Sequence, residues 1–472
     1  MKSKSIIALV CFVVTLMAAP RPEREIVMGK KDALTLKPEN YEIVISPKAT
    51  PVVKWSANEL AGLLKDIFGV APAVVTAPTG KIPINLGMEL CNLDKATAAK
   101  LKEVRDAYHI AVTPKGIFIG GYDDETADPA KGIAREGIWG NLYARATMMG
   151  CYDFLERFFG VRFYFPGKLG TITPQKKECR LKECRIFERP DFITRRYSSF
   201  YDGLYFEGEQ PERTKHPQKV LQMYRMKAET QDVPFCHGSN FFNYMWRFKD
   251  THPEYFALLR NGKRHCDPNM PHPGQLCYSS GIREEIYQDV KAALTGQPAS
   301  SRGMVDINGK PQKSWGFNCR WNKYVDIMPQ DSYTECQCEK CQAAYKKGNS
   351  GGYASELIWK FVAEVGNRLK KENIPGEITM MAYWPYRSLP ENVKIPDNVI
   401  IMFATSSGPF RGGSMDPDER AEIMKWINAT NKKVWFWTYV CKSGMLNKLT
   451  RGVPNPCPRA VGRFYRETAS MI

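Results

Sequence analysis

Beyond residue 190 the chain repeats one rhythm: a short apolar run, a long polar loop, then a helix with apolar residues at helical spacing. The apolar runs are Phe192–Tyr197, Val233–Cys236, Gln275–Ser279, Tyr324–Met328, Ile378–Tyr383, Val399–Phe403 and Val434–Tyr439. Helices over Glu284–Leu294, Ser355–Lys371 and Pro417–Thr430 fall between the later ones. A strand followed by a helix rejoins its sheet most simply in the parallel sense, because a tight hairpin is no longer available to it. The repeat therefore predicts an α/β fold whose parallel sheet closes as a (β/α)8-type TIM barrel. An open doubly wound sheet is the alternative, but no Gly-rich phosphate-binding loop follows any run.

The preceding part reads differently, and a chain of 472 residues is too long for one ordinary domain. Tyr41–Ser46 predicts a strand, and Pro51 then opens a helix with Val52, Trp55, Leu60, Leu63, Leu64 and Ile67 at helical spacing, closed by Gly69. Ile82–Leu86 predicts a second strand, and Tyr108–Val112 with Ile117–Gly120 a hairpin around Pro114-Lys115-Gly116. A helix over 137–159 and a short strand at Val161–Phe165 complete a small α/β domain over residues 20–170. Residues 171–189, rich in Lys and Glu, read as a connecting ribbon, which leaves 190–472 for the barrel.

Lys2 and Lys4, the apolar run Ile6–Met17 and the small residues Ala18 and Ala19 have the layout of a secretory signal peptide over residues 1–19. Export to the periplasm or the extracellular space follows. No later segment is apolar enough for a transmembrane anchor after cleavage. Hydrophobic residues make up 43% of the chain, which excludes a disordered protein. Lys and Arg total 67 against 50 Asp and Glu, a net charge of +17, yet the basic residues are scattered. That pattern describes a basic solvated surface able to attract an acidic glycan, and it lacks the clustered footprint of nucleic-acid binding. Of the 14 cysteines, Cys11 leaves with the signal, so an odd number remains and not all can pair. Cys179 with Cys184, and Cys266 with Cys277, are close enough in sequence to be disulfide partners.

Functional side chains of a (β/α) barrel gather where its strands end. Asp331 follows the fourth run and is the candidate general acid, with a loop or helix-cap aspartate as the plainer alternative. Asp326, inside the run, is read as a satisfied core carboxylate. His237 follows the second run, with His252 and Glu254 in the loop beyond, and either imidazole suits a sugar hydroxyl or a proton transfer. Arg195 offers a planar fork for hydroxyls or a uronate carboxylate, or else an interdomain ion pair. Trp315, Trp321, Tyr383, Trp384, Tyr386, Trp435, Trp437 and Tyr439 crowd the later strand ends; Tyr383, Trp384 and Trp437 are the candidate sugar platforms. Cys336-x-Cys338-x-x-Cys341 places three thiols within six residues, with Cys277 or Cys319 as a fourth. Such a set binds a structural zinc ion or forms disulfides, and both readings stay open. No other cofactor is called for.

Pro190-Asp-Phe-Ile-Thr-Arg195 resembles the Pro-x-Phe-x-x-Arg entry to glycoside hydrolase family 20 barrels, where the arginine binds the sugar. Ser56-Ala-Asn-Glu-Leu-Ala61, Tyr152-Asp-Phe-Leu-Glu156 and Gly160-Val-Arg-Phe163 are similar to the small domain that precedes the barrel in families 20 and 67. A nearer resemblance is to the bacterial family called domain of unknown function 4838. It is carried by His252-Pro-Glu-Tyr-Phe256, Asn261-Gly-Lys-Arg264, Gln275-Leu-Cys277, Asp331, the cysteine motif and Ala382-Tyr383. The resemblance implies an exported glycoside hydrolase-like protein acting on a polysaccharide or glycoconjugate, with Asp331 as its acid. One departure stands out: family 20 has an Asp-Glu pair, whereas this chain reads Pro329-Gln330-Asp331-Ser332. A protein that keeps the pocket but only binds carbohydrate, or a structural envelope protein, is the alternative. Because the chain stops in a helix, Pro458–Ile472, where the resembling family continues, the barrel is expected to be incomplete at its C-terminus.

Overall fold

The computed structural model describes residues 24–134, 143–192, 194–195, 217–228, 233–306, 308–316, 318–349, 351–405, 415–438 and 458–472. The proposed signal peptide and Tyr439 lie outside them. Two compact units divide the chain, Pro20–Asp232 and Val233–Ile472, each with its own hydrophobic core.

In the first unit a seven-stranded mixed sheet has the order β1-β9-β5-β6-β4-β2-β3. Its strands are β1 (Glu25–Leu36), β2 (Tyr41–Ile45), β3 (Val74–Val75), β4 (Ile82–Leu86), β5 (Tyr108–Thr113), β6 (Gly116–Gly121) and β9 (Cys179–Glu188); β7 (Arg162–Phe163) and β8 (Thr171–Ile172) form a separate pair. The helices are α1 (Pro51–Phe68), α2 (Lys95–Glu103), α3 (Pro129–Ala134), α4 (Ala146–Phe154) and α5 (Pro217–Arg225). Helix α1 starts where Thr50 accepts a hydrogen bond from Val53 N, with Pro51 in the first turn, and stops at Gly69 in the left-handed region, φ 83°. Helix α4 lies close on the sheet because Gly150 is bare: a Cβ there would sit 2.7 Å from Ile119.

Residues 179–188 are not a connecting ribbon. As β9 they are antiparallel to both β1 and β5. Cys179, Leu181, Cys184 and Ile186 point inward, while Arg180, Lys182 and Arg185 take the solvent face, so a charged stretch still makes a strand. An extended strand also keeps Cys179 and Cys184 roughly 16 Å apart, far beyond disulfide reach, and both are free thiols. The expected helix over 137–159 is α4 followed by one π-helical turn, Leu155–Phe159; residues 135–142 lie outside the description.

In the second unit the strands are β10 (Arg320–Trp321), β11 (Tyr324–Asp326), β12 (Glu377–Ala382), β13 (Val399–Ala404) and β14 (Trp435–Trp437), in that order across one sheet. Strands β11 to β14 are parallel, and β10 is an antiparallel edge. The helices are α6 (Tyr244–Phe248), α7 (Ile282–Leu294), α8 (Glu339–Ala344), α9 (Ser355–Lys371), α10 (Pro417–Thr430) and α11 (Pro458–Thr468). This is a mixed α/β unit, and its described strands do not close a barrel. At residues 192, 194 and 195 the first expected strand is absent, and the rest of that run lies outside the description.

Two further expected strands, Val233–Cys236 and Gln275–Ser279, are not ladder strands either. Pro234 has no N–H to give to a ladder. Its carbonyl instead accepts from the Thr379 hydroxyl of β12, and Ser239 N donates to Met328 O at 3.1 Å. The segment thus runs beside β11 and β12 on isolated bonds. Gln275–Ser279 makes a single bridge, Leu276 to Phe256.

Candidate functional site

The parallel strands end on a group of polar and aromatic residues built around β11. Asp326, its last residue, is fully buried, and each carboxylate oxygen accepts one backbone N–H: Met328 at 2.8 Å and Gly238 at 2.9 Å. Burial pushes its carboxyl up to about 7, against the backbone N–H groups of Met328, Gly238 and Cys236, which favour the anion. Asp326 is therefore an internal anchor that ties the 236–239 turn to the sheet, not a group that can reach a ligand. The turn fits only because residue 238 is glycine, since a Cβ would fall 2.1 Å from Asp326 O.

That anchoring places His237 at the strand ends, in the left-handed region at φ 56°. Its Nδ1 lies 2.8 Å from Pro329 O, so this nitrogen carries the proton and donates to the carbonyl. Nε2 is thereby turned to Asp331 Oδ1, 3.7 Å away. Tyr383, just past β12, meets the imidazole edge-on with ring centroids 5.8 Å apart. Asp331 is half exposed, with 50% of its side chain accessible, and its neighbour Ser332 is also left-handed at φ 58°. A partly buried imidazole with one fixed tautomer facing an open carboxylate can pass a proton between Nε2 and Oδ1 once the two close by less than 1 Å to hydrogen-bond distance.

Two residues not singled out as ligands hold this loop. Gln275 Nε2 donates to Asp331 O at 2.6 Å, and Gln330 Nε2 donates to Gly274 O at 3.2 Å. In the sequence Gln275 stands in an expected strand and in the Gln275-Leu-Cys277 motif, with nothing to show that its side chain holds the Asp331 loop. Tyr386 is wholly buried, and its hydroxyl has no hydrogen-bond partner among the described residues. Of the aromatic candidates, Trp384 is exposed and edge-on to Tyr353. Trp315 is buried and donates Nε1–H to Gln297 O, Trp435 packs on Phe235, and Trp437 packs against the core of the unit.

Other expected site residues are not brought to Asp331. His252 stacks on Tyr255 at 4.6 Å and pairs with Glu254 at 3.0 Å. Arg195 belongs to the first unit, where its guanidinium pairs with buried Asp106 at 2.6 Å and donates to Lys227 O and Phe192 O. Burial opposes the charge on Asp106, but Arg145, Arg195 and Arg105 together hold its carboxyl below the usual range. The ion pair of Arg195 is thus within one unit, not between domains. Clefts of about 400 Å³ lined by Arg459, Arg463 and Arg466, and by Gln297, Trp315 and Trp321, include neither Asp331 nor His237.

The cysteine motif does converge. Cys277, Cys336, Cys338 and Cys341 have their sulfurs within 4.8 Å of one another, with Cys277 Sγ 3.6 Å from Cys338 Sγ and 3.8 Å from Cys341 Sγ. Cys277 is set by its N–H on Tyr255 O, and Cys336 Sγ accepts from Leu258 N at 3.3 Å. Hydrogen bonds from the Cys277 and Cys341 thiols, and then from backbone N–H groups, hold Cys336 well below the usual thiol range. Cys319 is elsewhere, bonded to Trp315 O, and Cys266 is not joined to Cys277. No disulfide occurs among the described residues.

The chain matches the model of the family described as domain of unknown function DUF4838 over residues 165–313 and 318–458, more than half its length, and belongs to that family. No curated protein matches it. Among solved structures, it is similar to the GH20 β-N-acetylhexosaminidase from Streptomyces coelicolor A3(2), with 10% identity, a TM-score of 0.42, and 87% of this chain and 73% of that one covered. A GH115 4-O-methyl-α-glucuronidase with specificity for decorated arabinogalactans is matched at 12% identity and TM-score 0.41, over 92% of this chain and 57% of that one. The β-N-acetylhexosaminidase from Bacteroides fragilis NCTC 9343 is matched at 13% identity and TM-score 0.38, over 88% of this chain and 73% of that one. No described helix is long and apolar enough to cross a membrane.

Proposed function

We propose that the protein is an exported glycoside hydrolase-like enzyme, built on a (β/α)-barrel type of scaffold, that cleaves glycosidic bonds of a polysaccharide or glycoconjugate. Asp331 is its general acid and His237 the proton partner of that acid. The observation that supports this reading is the His237–Asp331 pair at the ends of the parallel strands, with Nδ1 locked on Pro329 O and Nε2 aimed at the half-exposed carboxylate. Cleaving a glycoside requires a carboxylic acid placed to protonate the leaving oxygen. Tyr383 and exposed Trp384 supply apolar faces for a sugar ring beside that acid. The net charge of +17 favours an acidic, uronate-containing glycan.

The test is turnover of a glycan panel, with and without uronate residues, by the protein and by Asp331→Asn. Loss of the acid is expected to lower kcat/KM by about 10²- to 10⁴-fold, the usual contribution of a positioned general acid. Equal cleavage by both proteins would remove Asp331 from the chemistry. Tight binding without turnover by either would favour a carbohydrate-binding protein instead.

A further inference from the structure

The four thiols of the second unit come from two segments. Cys277 follows the bridge at Leu276; Cys336 and Cys338 lie in the turn that enters α8, and Cys341 is in the first turn of that helix. From their geometry we propose that Cys277, Cys336, Cys338 and Cys341 bind one zinc(II) ion in a closed tetrahedral site that clamps the Asp331 loop to the 255–279 segment. Zinc–sulfur bonds of about 2.3 Å at tetrahedral angles set sulfurs about 3.8 Å apart. The spacings of 3.6 and 3.8 Å from Cys277 to two different partners match that figure. A disulfide brings one pair to about 2.05 Å and leaves the others behind. Here one sulfur is close to two partners at once, and Cys336 and Cys338 are separated by a single residue. Three of the four cysteines are buried, and four protein ligands leave no open coordination position, so the ion is structural.

The clamp follows from connectivity. Gln275, two residues before Cys277, donates to Asp331 O and accepts from Thr334 N. Cys336, five residues after Asp331, is bonded through its sulfur to Leu258 N, and Gln337 N donates to Leu258 O at 2.8 Å. One ion thus ties together the strands of chain on both sides of Asp331. Zinc binding is independent of the glycosidase reading; only the importance of the clamp to catalysis rests on it.

Metal and thiols are measured on the full-length protein purified from zinc-supplemented medium. Elemental analysis is expected to find one zinc per chain, and a strong chelator should release it while exposing four additional titratable thiols. Cobalt(II) exchanged into the site should give intense tetrahedral d–d bands and thiolate-to-cobalt charge transfer, which needs no variant to fold. Cys338→Ser/Cys341→Ser should lose the zinc. Peptides joined through these cysteines by disulfides, iron in place of zinc, or full zinc retention by the double variant would each overturn the site. Hydrogen exchange tests the clamp separately: chelation should speed exchange at residues 331–337 at least tenfold while β12 changes little. Unchanged exchange there would leave the ion without its positioning role, whatever the glycan panel shows.

Discussion

Asp326 is the residue on which the candidate site hangs, and its charge state is set by burial. Its carboxyl, at about 7, lies above the ordinary value of 3.8. Protons therefore bind the folded chain more readily than the unfolded one. Its contribution to stability is fully present below about pH 4 and is lost as pH rises through 7. Asp326→Asn removes that dependence but leaves one of the N–H groups of Gly238 and Met328 without an acceptor, which costs about 1–3 kcal/mol. Urea midpoints between pH 4 and 8 should show the variant less stable at acid pH, with the gap narrowing towards pH 8. A constant gap would mean that Asp326 does not titrate in this window. The type of residue was legible here, as a satisfied core aspartate; its role in presenting His237 was not, because 88 positions separate Asp326 from Gly238.

Among the elements, α7 shows how a helix is pinned by charge. Asp289 on its buried face pairs with Arg247 at 2.5 Å and with Arg302 at 2.9 Å, and Arg302 also reaches Glu285. Asp289→Ala leaves the Arg247 guanidinium buried without its carboxylate, and should destabilise the protein by about 3–5 kcal/mol. Chemical denaturation checks this; a loss below about 1 kcal/mol would show the pair to be dispensable. The elements that pattern made legible are the helices α1, α9 and α10, with apolar residues at helical spacing, and the mainly apolar, buried strands β2, β12 and β13. Val233–Cys236 and Gln275–Ser279 have the same apolar character, but it serves packing in the core, and tertiary partners decide that no ladder forms. Strand β9 was missed for the opposite reason: its charged residues mask a period of two. At the site, Asp331, His237 and the four cysteines were legible as residue types, but the loops that bring them together have no period to read. For Arg195 an ion pair was one of the two expectations, and the sequence could not name its partner because Asp106 lies 89 positions away.

On the scale of the whole molecule, each unit buries its own core, so residues 20–232 expressed alone should unfold in a single cooperative transition. Gradual, non-cooperative melting of that fragment would mean that its core depends on the rest of the chain. The sheet of this unit pairs Glu25–Leu36 with Cys179–Glu188, the first and the last of the unit's described strands. During synthesis the leading strand emerges some 150 residues before its neighbour, and Ile26, Val27 and Met28 remain half exposed even after pairing. For all that interval the growing chain offers an open apolar edge, and its N-terminal unit stays unfinished.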